Sequence, residues 1–232
     1  VARGDLGVEL PLERVPIIQK EVIDKATQAG KPVIIATQIL DSMTDRPIPT
    51  RAEVSDIANA ILDGADGLMV TGETAMGKFP EKVIQVLTRV IEETESAINY
   101  QDYYIARGNK HLNTAQAISH AACSVAYDQD IKILITMTHS GSTARMVSRY
   151  RPAARIIAMT PIEEISRQLS IVWGIMPIVI NEYNLSSEIQ DVANAVLSRE
   201  EILKKDEKYV ITGGVPVGVP GTTNYVSVFK FA

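Results

Sequence analysis

Val1-Ala2-Arg3-Gly4-Asp5 runs into Leu6-Gly7-Val8-Glu9. Apolar residues of strand type, a glycine and a carboxylate stand here ahead of a helical pattern. The stretch therefore reads as a strand whose C-terminal end delivers Asp5 to the mouth of a helix. In α/β enzymes the chemistry is kept at that end, because the loops after parallel strands carry the functional groups. Gly4 lets the backbone come close to a ligand, the amides of the following turn can receive an anion, and Asp5 can hold a hard cation. A Gly-Asp pair beside a helix is also the composition of a turn with an N-cap. Whether later strands end in matching groups separates the two readings. Val1-Ala2 resembles the second half of a strand, with neither initiator Met nor apolar lead-in, so further chain is expected before it.

Working outward, Val15, Ile18, Val22 and Ala26 recur at helical spacing up to Gly30, a helix stop. Pro32-Val33-Ile34-Ile35-Ala36 is short and almost wholly apolar, as buried parallel strands are, and it ends in Thr37-Gln38. After a loop through Met43 to Pro49, Thr50 opens a helix with Glu53 as a capping box and Ile57, Ala60 and Ile61 on one face. Gly67-Leu68-Met69-Val70 is a third buried strand ending in Thr71-Gly72-Glu73. A long helix follows from Pro80, striped by Val83, Val86, Leu87, Val90 and Ile91. Polar residues thus close each strand, in the arrangement of a (β/α)8 TIM barrel. Three strands of eight cannot complete one, so the barrel is partial.

The pattern lapses between Tyr100 and Asn113, which places a domain boundary there, with residues 1–108 on one side and 109–232 on the other. A new alternation then starts. Ala117, Ile118, Ala121, Ala122 and Val125 stripe a helix, strands are expected over 131–137, 156–159, 175–180, 209–211 and 225–229, and helices over 141–150 and 186–203. Thr160-Pro161-Ile162-Glu163 combines a capping box with proline at a first helical position. The second domain is expected to be an open α/β domain with a mostly parallel sheet of about five strands, its last strand a candidate for antiparallel pairing.

With 232 residues the chain can bury a real core, and its net charge of −5 offers no electrostatic case for nucleic acid. No apolar run approaches the roughly 18 residues of a membrane span. One cysteine, Cys123, cannot form an internal disulfide, which points to a reducing cytoplasm, and its Ala-rich helical setting points to packing. His111, His120 and His139 show no metal-ligand spacing.

Thr138-His139-Ser140-Gly141-Ser142-Thr143-Ala144 joins a strand to a helix. Hydroxyls, backbone amides and the positive end of a helix dipole converge there, which suits a phosphate; a serine N-cap with small-residue packing is the other reading. The loop 213–223 is rich in glycine and carries no lysine or arginine. Arg145, Arg149 and Arg151 could add charge, although Arg149 and Arg151 beside Tyr150 and Pro152 equally suit a surface contact.

Taken together, Val-Ala-Arg-Gly-Asp-Leu-Gly-Val-Glu, Ala-Thr-Gln-Ile-Leu-Asp-Ser-Met, Pro-Thr-Arg-Ala-Glu-Val-Ser-Asp and Thr-Gly-Glu-Thr-Ala closely resemble the pyruvate kinase family. The chain looks like its C-terminal half, with the last three barrel strands and the C-terminal regulatory domain. The resemblance implies transfer of the phosphoryl group of phosphoenolpyruvate to ADP with Mg2+ or Mn2+, with K+ as a further possible requirement. It implies Asp5 as metal ligand, Gly4 and Asp5 as backbone donors to the substrate carboxylate, and Thr37 as a contact to that carboxylate and a proton relay. A bare Thr hydroxyl is a poor acid, so positioning and relay suit it better than direct acid catalysis. Thr71 and Glu73 match a catalytic pair in which the family commonly has serine before Gly-Glu. The added methyl puts the relay geometry at Thr71 in question, and Glu73 either orients water or a hydroxyl or forms an ion pair. Arg51, Glu53 and Asp56 are read as interface and scaffold.

The family's essential lysine and second metal carboxylate match nothing here, and Lys31 and Lys78 stand in the wrong places, so this chain alone is expected to be inactive. Thr138, Ser140, Gly141, Ser142 and Thr143 match the family's effector loop. The lack of a basic residue in 213–223 favours a monophosphate effector, AMP or a sugar phosphate, over fructose 1,6-bisphosphate. A homotetramer is implied. Two rival readings are a free-standing module that binds a phosphorylated metabolite without chemistry, and another enolate-handling barrel, which the effector-like domain and Thr-Gly-Glu-Thr-Ala argue against.

Overall fold

The computed structural model describes residues 1–101, 113–183, 185–219 and 221–231. The chain divides into two units, Val1–Asn99 and Tyr100–Ala232. The boundary expected at 108/109 and His111 lie outside the described residues, as does Pro220 in the second glycine-rich loop.

In the first unit, α1 (Arg3–Glu9), a 3-10 turn (Leu12–Arg14) and α2 (Val15–Gln28) precede β1 (Ile34–Ala36); α3 (Arg51–Asp63), β2 (Gly67–Met69), a one-turn α4 (Gly72–Ala75) and α5 (Pro80–Ser96) follow. Val1-Ala2 contributes a single parallel bridge, Ala2 to Ala36, and the helix begins at Arg3. Asp5 therefore lies in the first turn of α1. β1 and β2 pair in parallel, Ile34 with Gly67 and Ala36 with Met69. Ala2, Ala36 and Met69 are thus in register, and the three segments end at one edge.

The strands are not buried on both faces as expected. Val33 and Ile35 enter the core with Ile23 of α2, Ile57 and Ala60 of α3, and Val83, Val86 and Leu87 of α5, and Leu68 and Val70 pack against it. Side chains alternate along a strand, so Ile34 and Met69 point to the other face, where they are 38% and 46% exposed. That is the side a closed barrel fills with its remaining strands. α3 matches its expected cap and face: Thr50 and Glu53 form the capping box, Ile57, Ala60 and Ile61 are buried, and Gly64 closes the helix at φ 100°. In α2 the buried face is Gln19, Ile23 and Thr27, and Val22 is exposed. That helix is apolar on two sides, at Ile17 and Val22 as well as at Ile18 and Ile23, and the spacing did not distinguish them.

In the second unit, α6 (Thr114–Asp128), β3 (Ile133–Met137), α7 (Ser142–Ser148), β4 (Arg155–Thr160), α8 (Glu163–Leu169), β5 (Ile175–Val179), α9 (Ile189–Arg199), β6 (Lys208–Gly214) and β7 (Thr223–Lys230) build a five-stranded sheet in the order β5-β4-β3-β6-β7. Every pairing is parallel except β6 with β7. One face packs Ile133, Ile135, Tyr209 and Ile211 against α9. The other packs Leu134, Ile156 and Val210 against Ala122, Cys123 and Ala126 of α6 and Val147 of α7. Cys123 is buried as expected, and burial pushes its thiol well above the ordinary range. On α6, Ser119, Ala122, Cys123 and Ala126 form the buried face, one position round from the expected stripe, and Asn113 with Gln116 supplies an unforeseen capping box. The box expected at Thr160 does not form: Thr160 ends β4, pairs with Val179, and accepts from the Ile162 amide instead. The helix starts two residues after Pro161, at Glu163.

Candidate functional site

Asp5, Thr37 and the Thr71-Glu73 pair occupy successive positions along the shared strand edge of the first unit. The Gly4 amide, expected to face a ligand, donates to the Thr37 hydroxyl at 2.8 Å. The Asp5 side chain is exposed and has no hydrogen-bond or ion-pair partner among the described residues. Thr37 and Gln38 both take left-handed backbone angles, φ 69° and 55°. Two consecutive non-glycine residues there, one of them β-branched, carry strain on the order of 1–3 kcal/mol each, and such turns persist only where surroundings over-determine them.

Arg3 does so here. Its guanidinium donates to the Thr37 carbonyl at 2.9 Å and the Gln38 carbonyl at 2.8 Å, and it pairs with Asp56 on α3. The Arg3 side chain is only 9% exposed. Sequence spacing alone assigns Arg3 no role. The available signal is an arginine directly before the Gly-Asp turn together with Asp56, a carboxylate read as scaffold whose partner the sequence does not name.

Glu73 is 4% exposed, and neither an ion pair nor a free carboxylate. Its oxygens accept from the Leu40 amide at 3.1 Å and the Thr71 amide at 2.9 Å, tying the loop after β1 to the turn after β2. The short helix α4 that carries it was not foreseen, and Gly77 allows it: a Cβ at that position would lie 2.1 Å from the Glu73 carbonyl oxygen. Thr71 is exposed, with no side-chain cap bond to α4. Lys31 precedes β1, at the edge opposite this cluster, and Lys78 is exposed and paired with Asp45.

Glu53 is scaffold, as expected. It accepts from the Ser42 amide at 2.8 Å and hydroxyl at 2.6 Å as well as from Thr50, bracing the loop after β1 against α3. Partial burial raises its proton affinity, but the bonds from Ser42 and Thr50 outweigh it and hold the carboxyl below its usual range. A carboxylate depressed in the folded state contributes stability above its unfolded value and loses it as pH falls through the folded one. Thermal unfolding followed from about pH 6 down to about pH 3 is therefore expected to show a loss of stability below about 4.3 that Glu53→Gln reduces. Identical pH profiles for the two proteins would contradict this.

In the second unit the loops after β3 and β6 form a cleft containing Thr138, His139, Ser140, Ser142 and Thr143 on one side and Gly214, Thr222 and Thr223 on the other. Connections leave β3 toward β4 on one side, while β6 lies on the other, so this is the topological switch point where open α/β sheets bind ligands. The loops meet where the Thr143 and Thr223 hydroxyls lie 2.7 Å apart. Ser140 Oγ donates to Ser142 Oγ at 3.1 Å, and Gly141 turns the chain at φ 78°. Gly214 is required by close approach, since a Cβ there would lie 2.5 Å from Thr222 Oγ1. The following helix is a seven-residue one, shorter than expected. Arg149 and Arg151 are turned inward rather than toward the cleft: they are 4% and 3% exposed and stack on Tyr150 and Trp173. Trp173 is thus packing for Arg151, and among the described residues no group of three or more His, Cys, Asp or Glu side chains could hold a metal. Among them, too, no helix is long and apolar enough to cross a membrane.

The chain matches two family descriptions, the pyruvate kinase barrel domain over residues 1–84 and the pyruvate kinase alpha/beta domain over residues 116–229. It is 45% identical over 229 residues to the pyruvate kinase of Clostridium acetobutylicum, covering 98% of this chain and 48% of that protein. It is likewise 45% identical to that of Geobacillus stearothermophilus, of which it covers 39%. A crystal structure of a Cryptosporidium parvum pyruvate kinase superposes with a TM-score of 0.91 at 38% identity over all of this chain and 46% of the other. A second, of the Cryptosporidium parvum enzyme in complex with ADP, gives 0.84 at 39% identity over all of this chain and 47% of the other. The chain spans about half the length, or less, of these relatives. With both matched domains in family order, the chain belongs to the pyruvate kinase family.

Proposed function

We propose that the protein carrying this chain transfers the phosphoryl group of phosphoenolpyruvate to ADP, giving pyruvate and ATP in glycolysis. One observation carries this reading: the bridge at Ala2 and the ends of β1 and β2 are in register and bring Asp5, Thr37 and the Thr71-Glu73 turn to a single edge. Both substrates are polyanions, and phosphoryl transfer is mostly positioning and charge neutralisation. The Cryptosporidium parvum relative in complex with ADP supports the nucleotide half.

Asp5 suits a hard divalent cation, Mg2+ or Mn2+, because its carboxylate is exposed and uncommitted. It is one ligand of a set completed elsewhere in the protein, and the family reading adds K+ as a second cation. When bound, such an ion neutralises charge on the phosphoryl oxygens. The Thr37 hydroxyl accepts the Gly4 amide, which leaves its own proton to donate to a substrate carboxylate or a relay water. Glu73 acts through backbone amides, so it is a positioning residue that fixes the turn presenting Thr71.

The second unit is read as a sensor. The cleft at the switch point offers hydroxyls and no Lys or Arg among its described lining, which suits one phosphate group of AMP or a sugar phosphate. A cytoplasmic homotetramer is the assembly the family reading implies. A coupled assay for ATP formed from phosphoenolpyruvate and ADP tests the proposal. The intact protein is expected to be active and residues 1–232 alone inactive, for want of a lysine at this edge. An intact protein that binds sugar phosphates but forms no ATP would instead make the chain a binding module.

A further inference from the structure

Arg145 was a candidate phosphate ligand, yet it does not line the cleft. Its guanidinium donates through Nη1 to the Ser140 carbonyl at 3.0 Å and through Nη2 to Gln168 Oε1 on α8 at 3.3 Å. It rests against the bare Cα of Gly141, where a Cβ would lie 2.9 Å from Nη1 and 3.2 Å from the Leu169 side chain. Ser140 faces the cleft, while Arg145, which engages its carbonyl, and Gln168, which accepts from Arg145, are not among the residues that line it.

We propose that Arg145 is a positioning residue that braces the phosphate-binding loop from behind, with Gln168 holding the guanidinium in place, and that it does not itself grip the ligand. The proposal rests on the reading of the cleft as a phosphate site. A carbonyl oxygen turned into such a site would repel the anion; captured by a charged donor on the far side, it leaves the Ser140 and Ser142 hydroxyls to face the ligand. The planar fork matters because two acceptors at fixed positions, one backbone and one on a neighbouring helix, must be met together.

Binding of inorganic phosphate and ribose 5-phosphate to the intact protein, measured by calorimetry, tests this. Arg145→Gln and Arg145→Lys are each expected to weaken phosphate binding by about threefold to tenfold, the scale of one hydrogen bond, and Gln168→Leu to weaken it less. Amide hydrogen exchange at Gly141 and Ser142 is expected to quicken in Arg145→Gln without any ligand, a change that loss of charge alone would not cause. Full affinity in Arg145→Lys would mean that charge suffices and would overturn the brace. Tighter binding by Gln168→Leu would overturn it too, by showing that a released guanidinium becomes a ligand. Failure of the unaltered protein to bind either probe would remove the phosphate reading of the cleft, and the brace with it.

Discussion

Arg3→Lys in the intact protein is expected to lower kcat about 10²-fold, the scale associated with misplacing a catalytic group by about 1 Å. The guanidinium meets the Thr37 carbonyl, the Gln38 carbonyl and the Asp56 carboxylate at once, and an ammonium at the end of a flexible stem cannot reproduce that planar arrangement. Once the clamp is lost, the two left-handed residues are free to relax toward favoured angles, which rotates the Thr37 hydroxyl away from the Gly4 amide. KM for phosphoenolpyruvate should change less than kcat if the hydroxyl matters most during proton transfer. Asp56→Asn keeps the guanidinium in place and weakens only its charge partner, so a smaller fall in the same direction is expected. Arg3→Lys within about twofold of the unaltered protein would show that the turn holds itself.

Much of this was legible from residues alone. The capping box at Thr50 and Glu53 and the stripe Ile57, Ala60 and Ile61 are local signals, and α3 follows them closely. The alternation of short apolar runs with helical stripes indicated the parallel pairing in the first unit and the mostly parallel sheet of the second, and located the polar residues at strand ends. Faces of helices were less secure: α2 carries apolar residues on two sides, and only its packing into the shared core beside α3 decides which is buried. The cap expected at Thr160 failed because sheet pairing with Val179 engages that residue first.

The site was legible in its members and not in its wiring. Asp5, Thr37 and Glu73 stand at one edge, as their places after three strands imply. That the Gly4 amide is taken by Thr37 and that Glu73 is spent on two backbone amides follow from tertiary approach, which no spacing encodes. Arg3 escaped notice for the same reason, since its partners lie 34, 35 and 53 residues away in sequence.

Asp5 gives the most direct test of the central claim, which is that this edge binds a divalent cation and a phosphorylated acid. Its carboxylate sits on the first turn of α1, exposed and without a partner among the described residues, so substitution removes a ligand and little else. Asp5→Asn keeps the shape and discards the charge. Phosphoryl transfer from phosphoenolpyruvate to ADP by the intact Asp5→Asn protein, with Mn2+ affinity measured on the same sample, should fall about 10³-fold or more, together with loss of Mn2+ binding. Transfer and Mn2+ affinity both within about threefold of the unaltered protein would contradict the account.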